Sequence, residues 1–285
     1  MKKFLSILIL PFAFACSQAG REYFPGNPTG ELTALEADFS ALAFVKDARW
    51  AAGDCIGLWG SDKGANEKWM LKRAGDGQPT GVFYGPSVSG ASVQACYPWS
   101  EDVTLQSGAF PFLLSPEQNY SATETVEDFY LKQNPYAYAF LSDGRLSFNW
   151  PAGVLTVSFD FVASETVEEI QLSSRTKPLS GPCLMDNSGE ARFVSDQGKT
   201  LVLKCNGIAS VDPQGKAVPF PMLLLPGRYE GLNLLVLTQE SGLAEYPLEA
   251  FDIHRPSAAG INLTSLALSV TGLDSFTQTD GYLEE

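Results

Sequence analysis

Cysteine and histidine set the chemistry open to this chain. Its 285 residues hold five cysteines and one histidine. Cys16 follows Ala13-Phe14-Ala15, small residues of the kind that precede a cleavage point, so its thiol would lie at a new N-terminus. Cys55, Cys96, Cys183 and Cys205 divide evenly between the two halves of the chain. In an oxidising compartment they could pair as Cys55 with Cys96 and Cys183 with Cys205, or stay as four small buried thiols. There is no Cys-x-x-Cys pair, so no metal site is expected, and no cofactor. His254, within Phe251-Asp252-Ile253-His254-Arg255-Pro256, is the lone imidazole base. No Gly-x-Ser-x-Gly elbow accompanies it, and no Gly-rich loop opens a helix to cradle phosphate. Carboxylates are plentiful, but abundance alone does not define a glycosidase pair. The chain is therefore expected not to be an enzyme, and His254 to be structural.

Residues 1–15 read as an export leader. Lys2 and Lys3 precede a short apolar run, residues 4–14, interrupted by Ser6 and Pro11. A spanning helix needs about 20 apolar residues, which neither this run nor any later one reaches. With cysteine directly after the small residues, the leader resembles a bacterial lipobox, which implies a thioether-linked diacylglycerol and an acylated amine on Cys16. Two or more acyl chains anchor stably where one does not. Membrane contact is expected through this lipid alone. Residues 16–30, rich in Gly, Pro and polar groups, would form a tether.

The elements that follow are short. Hydrophobic residues make up 45% of the chain, aromatics 12% and charged residues 18%, with 26 Gly and 18 Pro, a profile of strands and turns. The formal net charge is -14, which argues against nucleic acid or anionic lipid as partner. Alternating or apolar runs at residues 32–45, 55–59, 82–84, 93–97, 136–141, 154–161, 170–172, 201–203, 223–225, 232–237 and 263–270 are separated by turn signals such as Asp76-Gly77, Asp143-Gly144 and Asp212-Pro213-Gln214-Gly215. The spacing predicts an all-β chain of antiparallel sandwiches. One helix is expected, at residues 123–132, with an acidic first turn. The alternation restarts after Asn149-Trp150-Pro151-Ala152-Gly153, which places a boundary between domains at 31–150 and 151–285.

Several motifs carry a resemblance. Trp50-Ala51-Ala52-Gly53-Asp54-Cys55-Ile56-Gly57-Leu58, then Val93-Gln94-Ala95-Cys96-Tyr97-Pro98-Trp99, then Asp128-Phe129-Tyr130 with Ala137 and Ala139, stand in order in the first half. Phe220-Pro221-Met222-Leu223-Leu224-Leu225-Pro226-Gly227-Arg228-Tyr229 and Ala259-Gly260-Ile261-Asn262-Leu263 follow in the second. Together, and behind a lipobox, they resemble the fimbrillin-like (Mfa-like) lipoproteins, subunits of the type V pili of Bacteroidales. The residues also have a plain physical reading: Gly53-Asp54 and Pro226-Gly227 suit tight turns feeding buried strands.

The resemblance implies two tandem transthyretin-like β-sandwich domains in a pilus component or surface adhesin at the outer membrane. It also implies partners: other pilus subunits, joined by strand addition after an Arg-specific protease removes the first strand, and a host or microbial surface ligand. Arg21 and Arg49 bracket that strand, and Arg49 is the candidate cleavage point, set against an ordinary exposed arginine at a strand end. The candidate donor is the carboxyl end, where Leu266, Leu268 and Val270 alternate before a polar, acidic tail. A surface glycan-binding lipoprotein is the alternative, with Trp59, Trp69, Trp99, Tyr84 and Tyr120 as stacking residues if they lie exposed together.

Overall fold

The computed structural model describes residues 32–38, 49–60, 63–72, 76–88, 90, 92–133, 136–161, 164–186, 188–255 and 263–269. The first half carries β1 (Leu32–Asp38), β2 (Cys55–Gly60), β3 (Lys63–Leu71), β4 (Thr80–Pro86), β5 (Val93–Tyr97), β6 (Phe110–Leu114), β7 (Glu117–Asn119), α1 (Val126–Gln133), β8 (Ala137–Ser142) and β9 (Arg145–Ser147). The second carries β10 (Gly153–Asp160), β11 (Thr166–Ser174), β12 (Gly181–Met185), β13 (Ala191–Phe193), β14 (Thr200–Ala209), β15 (Phe220–Leu224), β16 (Gly227–Tyr229), β17 (Leu232–Thr238), β18 (Gly242–Leu248), β19 (Phe251–Ile253) and β20 (Leu263–Ser269). The described residues are all-β apart from one short helix, as the composition predicts.

The expected strands form because β-branched and aromatic residues alternate between turn residues. At Gly53 the backbone sits at φ +93°, a conformation open to glycine, and the Asp54 carboxylate accepts the Ala51 N–H at 2.6 Å. That turn launches β2, buried along its whole length. The helix starts three residues later than its sequence suggests. A Thr125–Asp128 capping box fixes it: Asp128 N–H donates to Thr125 Oγ1 at 3.1 Å, and Thr125 N–H to Asp128 Oδ2 at 3.2 Å. Its inward face carries buried Phe129 and Tyr130, and Tyr130 donates its hydroxyl to Ala152 O at 2.7 Å.

In the first half β1, β4, β3, β2, β5, β8 and β9 form a closed barrel in that order. The remaining sheets run β15-β10-β20, β18-β17-β11-β14-β7, β13-β12-β6 and β16-β19. Three pairings are parallel: β1 with β9, β7 with β14 and β10 with β20. Each joins strands far apart in sequence, which a hairpin cannot do and a long connection can. The segment between residues 110 and 119 leaves the barrel, pairing β6 with β12 and β7 with β14. Strands before the expected 150/151 boundary thus complete two sheets of the second half. One hydrophobic cluster accordingly runs from Trp50, Phe83 and Phe148 to Val157, Ile170, Leu203 and Val236.

Candidate functional site

The strand that the sequence marks for exchange is β1. It pairs antiparallel with β4, from Leu32 opposite Pro86 to Asp38 opposite Thr80, and parallel with β9 at Glu36 to Asp38. Of its side chains Ala37 and Asp38 are buried and Leu35 is half-buried, while Thr33, Ala34 and Glu36 face water. Most of what holds β1 is therefore main-chain ladder rather than side-chain burial. Two further ties act on it. Arg145 of β9 reaches Glu36 at 2.9 Å and Asp38 at 3.2 Å, and Trp50 donates its indole N–H to Ala37 O at 3.2 Å. Arg145 is 42% exposed, so these ion pairs are screened and contribute little beyond register.

Trp50 lies fully buried under β1. It packs edge-on against Phe83 at 4.7 Å, Tyr97 at 5.2 Å and Phe148 at 5.7 Å between ring centroids. Tyr97 in turn donates its hydroxyl to Asp54 at 3.0 Å, next to the turn. Burial raises the Asp54 carboxyl above its ordinary value, offset in part by the Ala51 and Tyr97 hydrogen bonds. The motif Trp-x-x-Gly-Asp is thus an aromatic floor with its own hydrogen-bonded turn. Loss of β1 would uncover Phe83, Leu146, Phe148 and Trp50 between the free edges of β4 and β9.

Arg49 immediately precedes that floor. It is exposed, and its guanidinium donates one bond to Gly77 O at 3.2 Å. A cut after Arg49 would sever all of β1 and leave Trp50 in place. Arg21, Cys16, the leader, the tether and the tail beyond residue 269 lie outside the described residues. The candidate donor strand β20 is paired within its own chain. It runs parallel to β10 with Leu266 opposite Val157 and Leu268 opposite Phe159, both leucines packed on the core.

Cys55, Cys96, Cys183 and Cys205 are all buried and carried as thiols, so neither expected disulfide is formed. Strand register gives a reason for the first pair. Gly57, not Cys55, stands opposite Cys96, which makes the two cysteines diagonal neighbours, about 7–8 Å apart and beyond the usual disulfide span. Cys183 and Cys205 sit in different sheets, on β12 and β14. Desolvation pushes Cys96, Cys183 and Cys205 up to about 12, which leaves thiols that are poor nucleophiles at neutral pH. Burial pushes Tyr138 up to about 12 as well.

These raised values predict alkaline instability. The folded state binds each of these protons more tightly than the unfolded chain, so the stability is complete below about pH 8.5 and is lost as pH rises towards 12. Each such group contributes a slope of about 1.4 kcal/mol per pH unit in that window. The urea midpoint should be flat from pH 7 to about 8.5 and then fall steeply. A midpoint unchanged at pH 10 would contradict this.

The aromatic residues offered for sugar stacking do not form a platform. Trp59, Trp69 and Tyr120 are core residues, 1%, 0% and 6% exposed. Trp69 is buried because β4 carries glycine beside it: a Cβ on Gly85 would lie 2.5 Å from the indole ring. Trp99 and Tyr84 are half-buried, with Lys68 and Lys72 over their rings at 4.3 and 5.7 Å. His254 is exposed beyond β19. Among the described residues no group of three or more His, Cys, Asp or Glu is arranged to hold a metal ion, and no helix is long and apolar enough to cross a membrane.

No protein-family model matches the chain, and no curated protein sequence matches it. Solved structures do. A candidate cell adhesion protein from Bacteroides ovatus superposes with a TM-score of 0.52 at 12% identity, over 84% of this chain and 92% of that one. A second, from Bacteroides uniformis, gives 0.47 at 16% identity, over 86% and 95%. The tip fimbrial protein Mfa3 from Porphyromonas gingivalis, truncated at its C-terminus, gives 0.37 at 10% identity, over 76% and 81%. Of these three, the first shares the fold with this chain over nearly its whole length. The other two are looser likenesses.

Proposed function

We propose that the protein is a cell-surface adhesin or pilus component of the fimbrillin-like kind, without catalytic activity. The observation that carries this reading is β1: a strand closing a barrel mainly by its main chain, over an aromatic floor, with exposed Arg49 between it and that floor in sequence, residues 39–48 lying outside the described ones. A strand of that sort can be exchanged for another chain's strand, because the ladder is sequence-tolerant and a residue as small as Ala37 leaves room for a larger one. The shared fold with a candidate adhesion protein and the order of the sequence motifs support the same reading. Cys16 would carry the lipid that holds the precursor at the outer membrane. Partners would then be other subunits that supply a strand, and a surface ligand at the free end.

The test is limited cleavage of the purified protein by an Arg-specific protease, with the new N-terminus read by mass spectrometry and assembly by size exclusion. The expected result is a cut after Arg49, release of β1 and a ladder of oligomers, with Arg49→Gln uncut and monomeric. A chain cut at Arg49 that keeps β1 and stays monomeric would rule out strand exchange. Turnover of a defined substrate, lost on a single side-chain change, would overturn the non-catalytic reading.

A further inference from the structure

The chain carries one Asn-Gly pair, Asn206-Gly207, and the fold places it at a break in a sheet. β14 pairs with β11 on both sides of it, Lys204 opposite Glu169 and Ile208 opposite Val167, so Glu168 alone faces the three residues 205–207. Asn206 takes φ +52° and Gly207 φ +83°, left-handed angles that suit asparagine and glycine. Both are exposed, while Cys205 and Ile208 on either side are buried. No described residue holds the Asn206 side-chain amide by a hydrogen bond. The pair is a bulge standing out of a core strand, anchored at both ends and open to water between them.

Asparagine before glycine has a reaction of its own. The side-chain carbonyl carbon is one ring closure away from the next main-chain nitrogen, and glycine puts no Cβ in the path. The Gly207 nitrogen attacks Asn206 Cγ and gives up its proton. A C–N bond forms, the bond to the side-chain amide nitrogen breaks, and ammonia leaves a cyclic imide behind. Water then opens the ring at one of its two carbonyls, giving aspartate or isoaspartate. One water is consumed and one ammonia released, with no oxidant, reductant or enzyme required.

We propose that Asn206 is a site of spontaneous deamidation in the folded protein, and that the change loosens one end of the five-stranded sheet. The new carboxylate arises beside an existing one, since a Cβ on Gly207 would lie 3.6 Å from Glu168 Oε1. Glu168 already accepts the side-chain amide of Gln239, in the turn after β17, and a like charge nearby disfavours that arrangement. Isoaspartate also lengthens the main chain by a methylene, just before Ile208 and Ser210. Ile208 is buried, and Ser210 Oγ accepts the Glu165 N–H at 3.0 Å. Both would shift against β11. This inference is independent of strand exchange at β1.

The test is incubation of the purified protein, folded and in urea, at about pH 8, below its alkaline transition. Peptide mass mapping at intervals separates acid from amide, and isoaspartate from aspartate by retention. The Asn206 amide is expected to be lost from the folded protein at no less than about a tenth of its rate in urea, since an exposed break in a ladder opens at little cost. The other described asparagines should keep theirs. An aged sample should unfold at least about 2 °C below a fresh one. Asn206→Ser, with no amide to lose, should show no such fall with time. Loss of the amide in urea but not from the folded protein would overturn the site, and so would loss spread evenly over all asparagines. Conversion with an unchanged Tm, or an equal fall in the aged serine variant, would overturn the loosening of the sheet.

Discussion

Replacing Gln118 by Leu is expected to lower the free energy of unfolding by about 2–6 kcal/mol, two buried main-chain groups being left unpaired at about 1–3 kcal/mol each. Gln118 is 1% exposed at the centre of β7. Its amide N–H donates to Leu223 O at 3.2 Å, and its carbonyl accepts Leu223 N–H at 2.9 Å. One side chain therefore takes the place of a strand partner along β15. It joins the sheet that ends in β7 to the sheet that contains β10 and β15, across 105 residues of sequence. A leucine fills similar volume, so the loss would come from the hydrogen bonds rather than a cavity. Urea titration and calorimetric Tm would measure it. Gln118→Glu should also destabilise, because it keeps one acceptor, loses the donor and buries a charge. A change below about 1 kcal/mol for the leucine variant would mean that Leu223 finds water or another partner.

Trp50→Ala should cost about 3–5 kcal/mol, the usual range for truncating a buried tryptophan. The ring touches Phe83, Tyr97 and Phe148, so its removal leaves a void at the centre of the barrel that none of three rigid rings can fill. It also removes the bond from its indole N–H to Ala37 O. The second effect is separable. Trp50→Phe keeps an apolar ring, drops that bond at about 1 kcal/mol, and leaves a smaller void than alanine does. In both variants amide exchange in β1 should accelerate more than exchange in β10 or β11, because the Trp50 indole bonds directly to the β1 main chain. Uniform acceleration across all sheets would show that Trp50 supports global stability with no special hold on β1.

The strand exchange proposed at β1 and the hold of Trp50 on β1 pull in opposite directions. A ladder with little side-chain burial releases at low cost, whereas the indole bond to Ala37 O resists release. A cut after Arg49 would leave Trp50 attached to the remaining chain, so that its N–H would be presented to whichever carbonyl arrived. Trp50→Phe is therefore expected to ease loss of β1 and to weaken capture of a replacement strand.

Sequence patterning alone determined that the chain is all-β, where most strands lie, that Gly53-Asp54 is a turn and that a short helix with an acidic first turn lies within residues 123–132. These are local properties: turn residues, alternating burial and a threonine three residues before an aspartate act within a few positions of themselves. The partners of the strands were decided by tertiary structure. Nothing local says that β6 and β7 leave the barrel to pair with β12 and β14, that β20 runs parallel to β10, or that a short β16 follows Pro226 and pairs with β19. Those outcomes depend on which hydrophobic faces can be buried together, and that depends on the whole chain. The same division applies to side chains. Trp59, Trp69 and Tyr120 could not be told from surface stacking residues, because what covers them comes from other elements: Gly85 of β4 makes room for Trp69, Phe110 packs on Trp59, and Phe129 and Phe220 pack on Tyr120. Gln118 gave no sequence signal at all, since what sets it apart is burial against Leu223, from a strand remote in the chain.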